Sequence, residues 1–229
     1  MNLEKELDIS AISKTVRRRI KEKIIGKSNY GNKEWKKADN EWYSQIHERN
    51  YLLHEDFIRY LKEKRDISTV LEIGCGTGIY PIKYKHLFKD LNYTGIDISQ
   101  ENIDYCKKQS NFQFICGDWI KMESIEKYDL IYSHAVVDHV YDIEQFISKI
   151  CTQCKKYAYI NAYRGYFPDL KKHKMSWRDD DGCYYNDISL IQLKETLLKQ
   201  LKEDEFVIKP QENGTGIVQT VIKITKKLI

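Results

Sequence analysis

Residues 71–78 read LEIGCGTG, and no other stretch limits the fold of this chain so tightly. Thr69 and Val70 lead into it, so a short β-rich run ends in glycines at alternate positions, Gly74, Gly76 and Gly78. This pattern describes a buried parallel strand closing in a tight turn, where missing side chains let a ligand press against bare backbone. A glycine-rich turn can also exist only because its backbone needs positive φ, so the surroundings must decide between a ligand cradle and a plain turn.

Those surroundings are strands alternating with helices from Ser68 onward, the signature of a doubly wound parallel sheet. The spacing predicts strands at Thr69–Ile73, Leu91–Ile96, Phe112–Cys116, Tyr128–Ala135 and Lys156–Ala162. Helices are expected over Ile79–Lys89, with Pro81 tolerated in the first turn, and over Gln100–Lys108 and Ile143–Ile150. Tyr163–Asp187 reads as a long polar and aromatic loop, followed by a helix at Ile188–Leu201. Glu205–Pro210 and Ile217–Thr225 read as strands joined by Asn213, Gly214, Thr215 and Gly216, which is hairpin chemistry.

Asp97 ends the second strand about twenty residues beyond Gly78. In this topology a carboxylate there reaches the two ribose hydroxyls of a nucleoside; alternatively, Asp97 or Ser99 only caps the next helix. At the end of the third strand Asp118 is placed to accept from an adenine amino group, with Trp119 or Ile98 as an apolar wall.

Residues 1–68 carry helical patterns and no convincing strand, which makes them a helical cap. Between Lys14 and Lys37 there are ten basic residues against two acidic ones, so this stretch is either a phosphate- or membrane-gripping helix or a solvated face. Trp35, Trp42, Tyr43 and Tyr51 precede a helix expected over His47–Lys64, and they either roof a pocket or pack the cap on the body. The net charge of the 229 residues is only +4 and selects no class of partner. The charged start MNLEKELDIS is unlike a signal peptide and no apolar run could span a membrane, so a cytoplasmic location is expected.

Six cysteines without a secretory context imply reduced thiols. Cys151 and Cys154 form a C-x-x-C pair near the end of a helix, where structural thiols are expected in place of a zinc or redox site. Asp138, Asp142 and the run Asp179, Asp180, Asp181 are suitable oxygen ligands for magnesium or calcium. Nothing fixes their geometry, and such a run is equally a solvated turn, so no metal is assigned.

Taken together, LEIGCGTG, GIDIS, CGDW, YDLIYSHAVVDHV and the terminal hairpin resemble the motifs of class I S-adenosylmethionine-dependent methyltransferases of the small-molecule type, over about residues 68–229. A dinucleotide dehydrogenase would instead show G-x-G-x-x-G. The resemblance implies an α/β fold: a Rossmann-like, doubly wound sheet of seven strands with an antiparallel C-terminal hairpin. The resemblance does not reach the first sixty residues; with their helical patterns they divide the chain into a cap at 1–66 and a methyltransferase domain at 67–229, with a lid-like insertion at about 163–187. The resemblance implies S-adenosyl-L-methionine as cofactor and S-adenosyl-L-homocysteine as product. Glu72, Gly74, Cys75, Gly76 and Gly78 would approach the methionine end, Asp97 the ribose, and Ile98, Asp118 and Trp119 the adenine. Ser133 and His134 would lie beneath the sulfonium. The alternatives are that Glu72 braces the turn and that Ser133 is a satisfied strand end.

Methyl transfer from a sulfonium is an in-line displacement, so positioning and exclusion of water dominate its catalysis. If the acceptor is a hydroxyl its proton must leave, and histidine is the natural base. His139, just past the fourth strand, is the first candidate and His134 the second; a hydrogen-bonded positioning role is the alternative for His139. The expected acceptor is a small polar metabolite, such as a sugar or sugar nucleotide methylated on oxygen. Alternatives are a small amine or amino sugar methylated on nitrogen, and RNA or protein, suggested by the basic helix around Arg17–Arg19. No NPPY-like motif follows the fourth strand, where SHAV stands.

Overall fold

The computed structural model describes residues 14–26, 52–123, 126–178, 182–212 and 218–226. Its centre is a seven-stranded sheet in the order β3-β2-β1-β4-β5-β10-β9. The strands are β1 Thr69–Ile73, β2 Asn92–Asp97, β3 Gln113–Cys116, β4 Tyr128–His134, β5 Cys154–Ala162, β9 Phe206–Glu212 and β10 Val218–Thr225. β1 to β5 run parallel, and β10 lies antiparallel between β5 and β9. The strand order reverses beside β1, with β2 on one flank and β4 on the other. In open α/β sheets, that is where a crevice opens at the carboxyl ends.

Both faces of the central strands are covered, which is why they are apolar at nearly every position. On one face Leu71, Ile73, Ile131, Ala158 and Ile160 pack against helices α6 (Ile143–Gln153) and α7 (Leu190–Leu198). On the other, Val70, Tyr93, Leu130, Tyr132 and Tyr159 meet α2 (Leu52–Glu63) and α5 (Gln100–Gln109). Phe57 of α2 reaches the Tyr132 ring at 4.2 Å and the Tyr159 ring at 5.1 Å between centroids. Thus α2, which falls within the stretch read as cap, forms part of the core. The other described helix of that stretch is α1, Lys14–Ile25. Trp35, Trp42, Tyr43, His47 and Tyr51 lie outside the described residues, as does the 213–216 turn of the β9–β10 hairpin.

Three expectations need correction. The helix foreseen over Ile79–Lys89 is two pieces, α3 (Ile79–Lys83) and α4 (Lys85–Phe88), because Tyr84 leaves the helical region at φ −110°, ψ 36°. The break re-aims the chain so that Phe88 is fully buried against Tyr93. The Tyr163–Asp187 segment is a small sheet of its own, with strands β6 Tyr166–Phe167, β7 Lys174–Arg178 and β8 Cys183–Ser189 in the order β6-β8-β7. Its hairpin is held by the cross-strand pair Trp177–Tyr184, whose rings are 5.1 Å apart. Because β8 runs on through Ile188 and Ser189, the next helix starts at Leu190, with Ser189 as its cap.

Candidate active site

The glycine turn has the backbone its sequence demands: Gly74, Gly76 and Gly78 hold φ of 74°, 51° and 70°. At Gly74 a Cβ would also lie 2.2 Å from Val136 Cγ2, so the segment after β4 closes directly on the turn. Asp97, the last residue of β2, accepts from Gly76 N–H at 2.8 Å and from Ser99 N–H at 2.9 Å. One carboxylate therefore fastens the end of β2 to the turn after β1, while the Ser99 hydroxyl caps α5. Glu72 Oε2 accepts from Tyr93 OH at 2.5 Å and Tyr132 OH at 2.7 Å, so this carboxyl braces the turn from inside. The Cys75 thiol is buried too, packed beside Cys106, whose Sγ donates to Gly76 O at 3.3 Å.

At the end of β4, Ser133 and His134 point to opposite faces, as neighbours on a strand must. The Ser133 hydroxyl is buried and has no hydrogen-bond partner among the described residues. His134 stacks on Tyr159 at 5.3 Å and meets Tyr80 OH at 3.1 Å from Nδ1. Ala135 then adopts φ 56°, a left-handed conformation that costs an L-residue about 1–2 kcal/mol and often marks functional turns. It swings the chain out of the sheet into the turn that carries Asp138 and His139.

His139 Nδ1 lies 2.7 Å from Tyr184 O. A carbonyl can only accept, so Nδ1 holds the proton and Nε2 is the basic nitrogen of the neutral ring. The rings of Tyr163 and Tyr185 flank it at 5.6 and 5.0 Å. The fully buried carboxylate of Asp138 accepts from Tyr163 N–H at 3.1 Å and Arg164 N–H at 3.0 Å, tying this turn to the end of β5. Asn186 of β8 ties it again, donating through Nδ2 to Val137 O and Val140 O at 3.0 and 2.8 Å.

Beyond β3, Asp118 accepts from Ile120 N–H at 3.1 Å and Tyr141 OH at 3.0 Å. Trp119 is buried under the Lys149 ammonium, 4.4 Å from its ring centroid, and its Nε1–H has no acceptor among the described residues. Ile98 is half-buried, and its carbonyl accepts from Cys116 Sγ at 3.6 Å.

This arrangement of a glycine turn and strand-end carboxylates is matched over residues 64–221 by the family model described as a methyltransferase domain. The chain belongs to the methyltransferase family. Among curated relatives, it is 33% identical over 115 residues to a probable (S)-tetrahydroprotoberberine N-methyltransferase 2 of Papaver bracteatum, covering 48% of this chain and 32% of that protein. It is 36% identical over 80 residues to a malonyl-[acyl-carrier protein] O-methyltransferase 2 of Ilyobacter polytropus, covering 33% of this chain and 31% of the relative. The chain thus spans about a third of the length of these two relatives. In fold it is similar to an amino pentose methyltransferase from Micromonospora echinaspora solved with S-adenosylmethionine bound. That likeness has a TM-score of 0.57 at 11% identity, over 82% of this chain and 98% of that one.

Electrostatically, the chain keeps several ionisable groups out of water. Burial, with a smaller push from Asp97, raises Glu72 to about 8 against the pull of its two tyrosines. Burial also raises Asp97, opposed by the N–H groups of Ser99 and Gly76, and lifts Asp138 to about 7 against the N–H groups of Arg164 and Tyr163. Burial, and then neighbouring His54, hold His134 well below the ordinary histidine value, so it is neutral at pH 7. The Cys151 and Cys154 thiols are buried and pushed up to about 12, which suits structural roles.

The sequence reading placed Asp97, the glycines and His139 around one crevice. It did not foresee the strained Ala135, the bracing by Tyr93 and Tyr132, the Asp138–Asn186 fastening or Lys149 over Trp119. Only Ala135 and Asp138 left a trace, being the residues between a strand end and a candidate base. Asp179, Asp180 and Asp181 lie outside the described residues, and no group of three or more His, Cys, Asp or Glu that could hold a metal occurs among those described.

Proposed function

We propose that this chain uses S-adenosyl-L-methionine, releases S-adenosyl-L-homocysteine and methylates a small polar metabolite, at a hydroxyl of a sugar or sugar nucleotide. The observation that carries the donor assignment is Asp97, bonded to Gly76 at the strand-order reversal. Its partners and those of Glu72 are backbone N–H groups, an asparagine amide and tyrosine hydroxyls. An acidic strand end held only by neutral donors, as Asp97 is, suits ribose hydroxyls and opposes a pyrophosphate.

When bound, the donor supplies an electrophilic methyl on a sulfonium. The Gly74–Gly78 backbone would hold its methionine end, Asp97 its ribose, and Asp118, Trp119 and Ile98 its adenine. The unspent Ser133 hydroxyl and Trp119 N–H give that ligand two buried polar atoms to satisfy. His139 serves as base through Nε2, since Tyr184 holds the proton on Nδ1. Asp138 and Asn186 keep that ring in place, the 163–187 sheet acts as the lid of the domain spanning 67–229, and α1 is the part of the 1–66 cap that meets this lid, through Glu22 and Tyr184. Incubation with labelled S-adenosyl-L-methionine and a panel of polar metabolites tests the reading; transfer only to RNA or protein would overturn it.

A second reading, methylation of a small amine, is favoured by the N-methyltransferase among the relatives. An amine arriving neutral needs no base to become a nucleophile. Activity that survives removal of the His139 imidazole would therefore select it.

A further inference from the structure

A single ammonium group holds the turn beyond β3, and that turn carries an indole. Lys149, in the second turn of α6, lies over the Trp119 ring, 4.4 Å from its centroid, and donates to Trp119 O at 2.5 Å and to Met122 O. An ammonium has three protons to give. Here two of them, and the charge itself, go to residues 119–122.

The same turn is closed from other directions. Asp118 O accepts from Lys121 N–H at 2.9 Å and from Met122 N–H at 3.0 Å, which makes one tight helical turn. Tyr141, two residues before α6, donates its hydroxyl to Asp118 Oδ2 at 3.0 Å, and the Asp118 carboxylate attracts the Lys149 ammonium. A Cβ on Gly117 would lie 2.8 Å from Met122 Sδ, so the turn folds back directly onto the strand end.

All this fastening surrounds a side chain whose own hydrogen bond is missing. Trp119 is only 7% exposed, and its Nε1–H has no acceptor among the described residues. An indole can only donate, and a buried donor left unmade is costly enough to require a reason. The cation occupies the face of the ring and not its N–H edge. Trp119 also belongs to the wall assigned to the adenine, and a purine supplies the complement, lone pairs on its ring nitrogens.

We propose that Trp119 donates its indole N–H to a ring nitrogen of the donor's adenine, and that Lys149 is the positioning residue that fixes the indole for this contact. The inference rests on the methyl-donor reading given above. It adds how the base is recognised, and it places part of that recognition in α6.

The test is calorimetric titration of the full chain with S-adenosyl-L-homocysteine and with its 1-deaza, 3-deaza and 7-deaza analogues, each of which has C–H in place of one ring nitrogen. The parent is expected to bind one analogue about tenfold more weakly than S-adenosyl-L-homocysteine, the upper range for a neutral hydrogen bond. Trp119→Phe keeps an aromatic ring and removes the N–H, so it should lose about tenfold in affinity and no longer distinguish that analogue. Lys149→Met should shrink the same preference to within about threefold, and Lys149→Arg, whose fork can reach two carbonyls, should restore it. Equal affinity of the parent for all four ligands overturns the indole contact without requiring any variant to fold. So does a preference that survives Trp119→Phe. A Lys149→Met variant that weakens all four ligands alike and keeps the preference gives Lys149 a merely structural role and overturns its part. Failure of S-adenosyl-L-homocysteine itself to bind the parent overturns the donor reading on which the proposal stands.

Discussion

His134 and His139 are five residues apart at the end of the same strand, yet they occupy opposite physical worlds. His134 follows the alternation of β4, so it shares a face with Leu130 and Tyr132 and enters the aromatic core beneath α2. Its ring is shielded by Phe57, Tyr80 and Tyr159 and stays neutral. His139 lies past the left-handed Ala135, outside the alternation, on a half-exposed turn with one nitrogen committed to Tyr184. Closeness to a motif does not assign a histidine its role. The decisive facts are which side of the sheet the backbone sends it to and which ring nitrogen its carbonyl partner keeps protonated.

The sharpest way to break this comparison is to remove each ring. His139→Ala is expected to lower kcat by about 10²–10⁴-fold, the usual contribution of a general base, with S-adenosyl-L-homocysteine affinity kept. Titration of the donor product alongside initial rates separates the two. An unaffected kcat would move His139 to a positioning role and favour an amine acceptor.

The core beneath α2 should show itself in stability. Glu72, raised to about 8, stays protonated in the folded chain where the unfolded chain would have ionised. Its contribution is therefore complete below the ordinary glutamate value near 4.5 and is lost as pH rises through about 8. Glu72→Gln should remove that loss, so its stability relative to the parent grows between pH 5 and pH 9, reaching on the order of a few kcal/mol. Denaturant melts at several pH values measure it; a pH-independent difference would mean that the two tyrosines keep Glu72 ionised.

His134 has the opposite sign. Its proton affinity is depressed by folding, so its contribution is present above pH 6.5 and is lost as pH falls. His134→Phe should flatten that acid-side loss, a difference of about 1 kcal/mol per pH unit once the unfolded ring titrates. Turnover of this variant near pH 8 should stay within a few-fold of the parent. A loss as large as that of His139→Ala would put His134 in the catalytic apparatus.

The legibility of these regions in the sequence follows from how local their causes are. The LEIGCGTG turn, Asp97 and the parallel strands were readable because each rests on periodicity or on a backbone requirement within a few residues. The 163–187 sheet was not, because Lys171, Lys172 and Asp179–Asp181 make the segment look solvated, while its aromatic pairing acts across the hairpin. The break at Tyr84 was hidden because the residue types on either side suit a helix, and burial of Phe88 against Tyr93 overrides that preference. Glu72's partners could not be foreseen either, since Tyr93 and Tyr132 reach it only through the register of β2 and β4.

The smallest effect is expected at Tyr184, the residue that joins the His139 region to α1. Its two polar groups serve different neighbours: the carbonyl orients His139, and the hydroxyl reaches Glu22. Tyr184→Phe deletes only the second, leaving the ring against Trp177 and the carbonyl in place. If α1 acts simply as a cover, kcat should fall no more than about threefold, since one partly buried hydrogen bond contributes about 1 kcal/mol. Amide exchange over residues 14–25 should at the same time become faster than in the parent. A fall in kcat matching that of His139→Ala would mean instead that the helix, through this hydroxyl, sets the position of the base, and the region around His139 would then have to include α1.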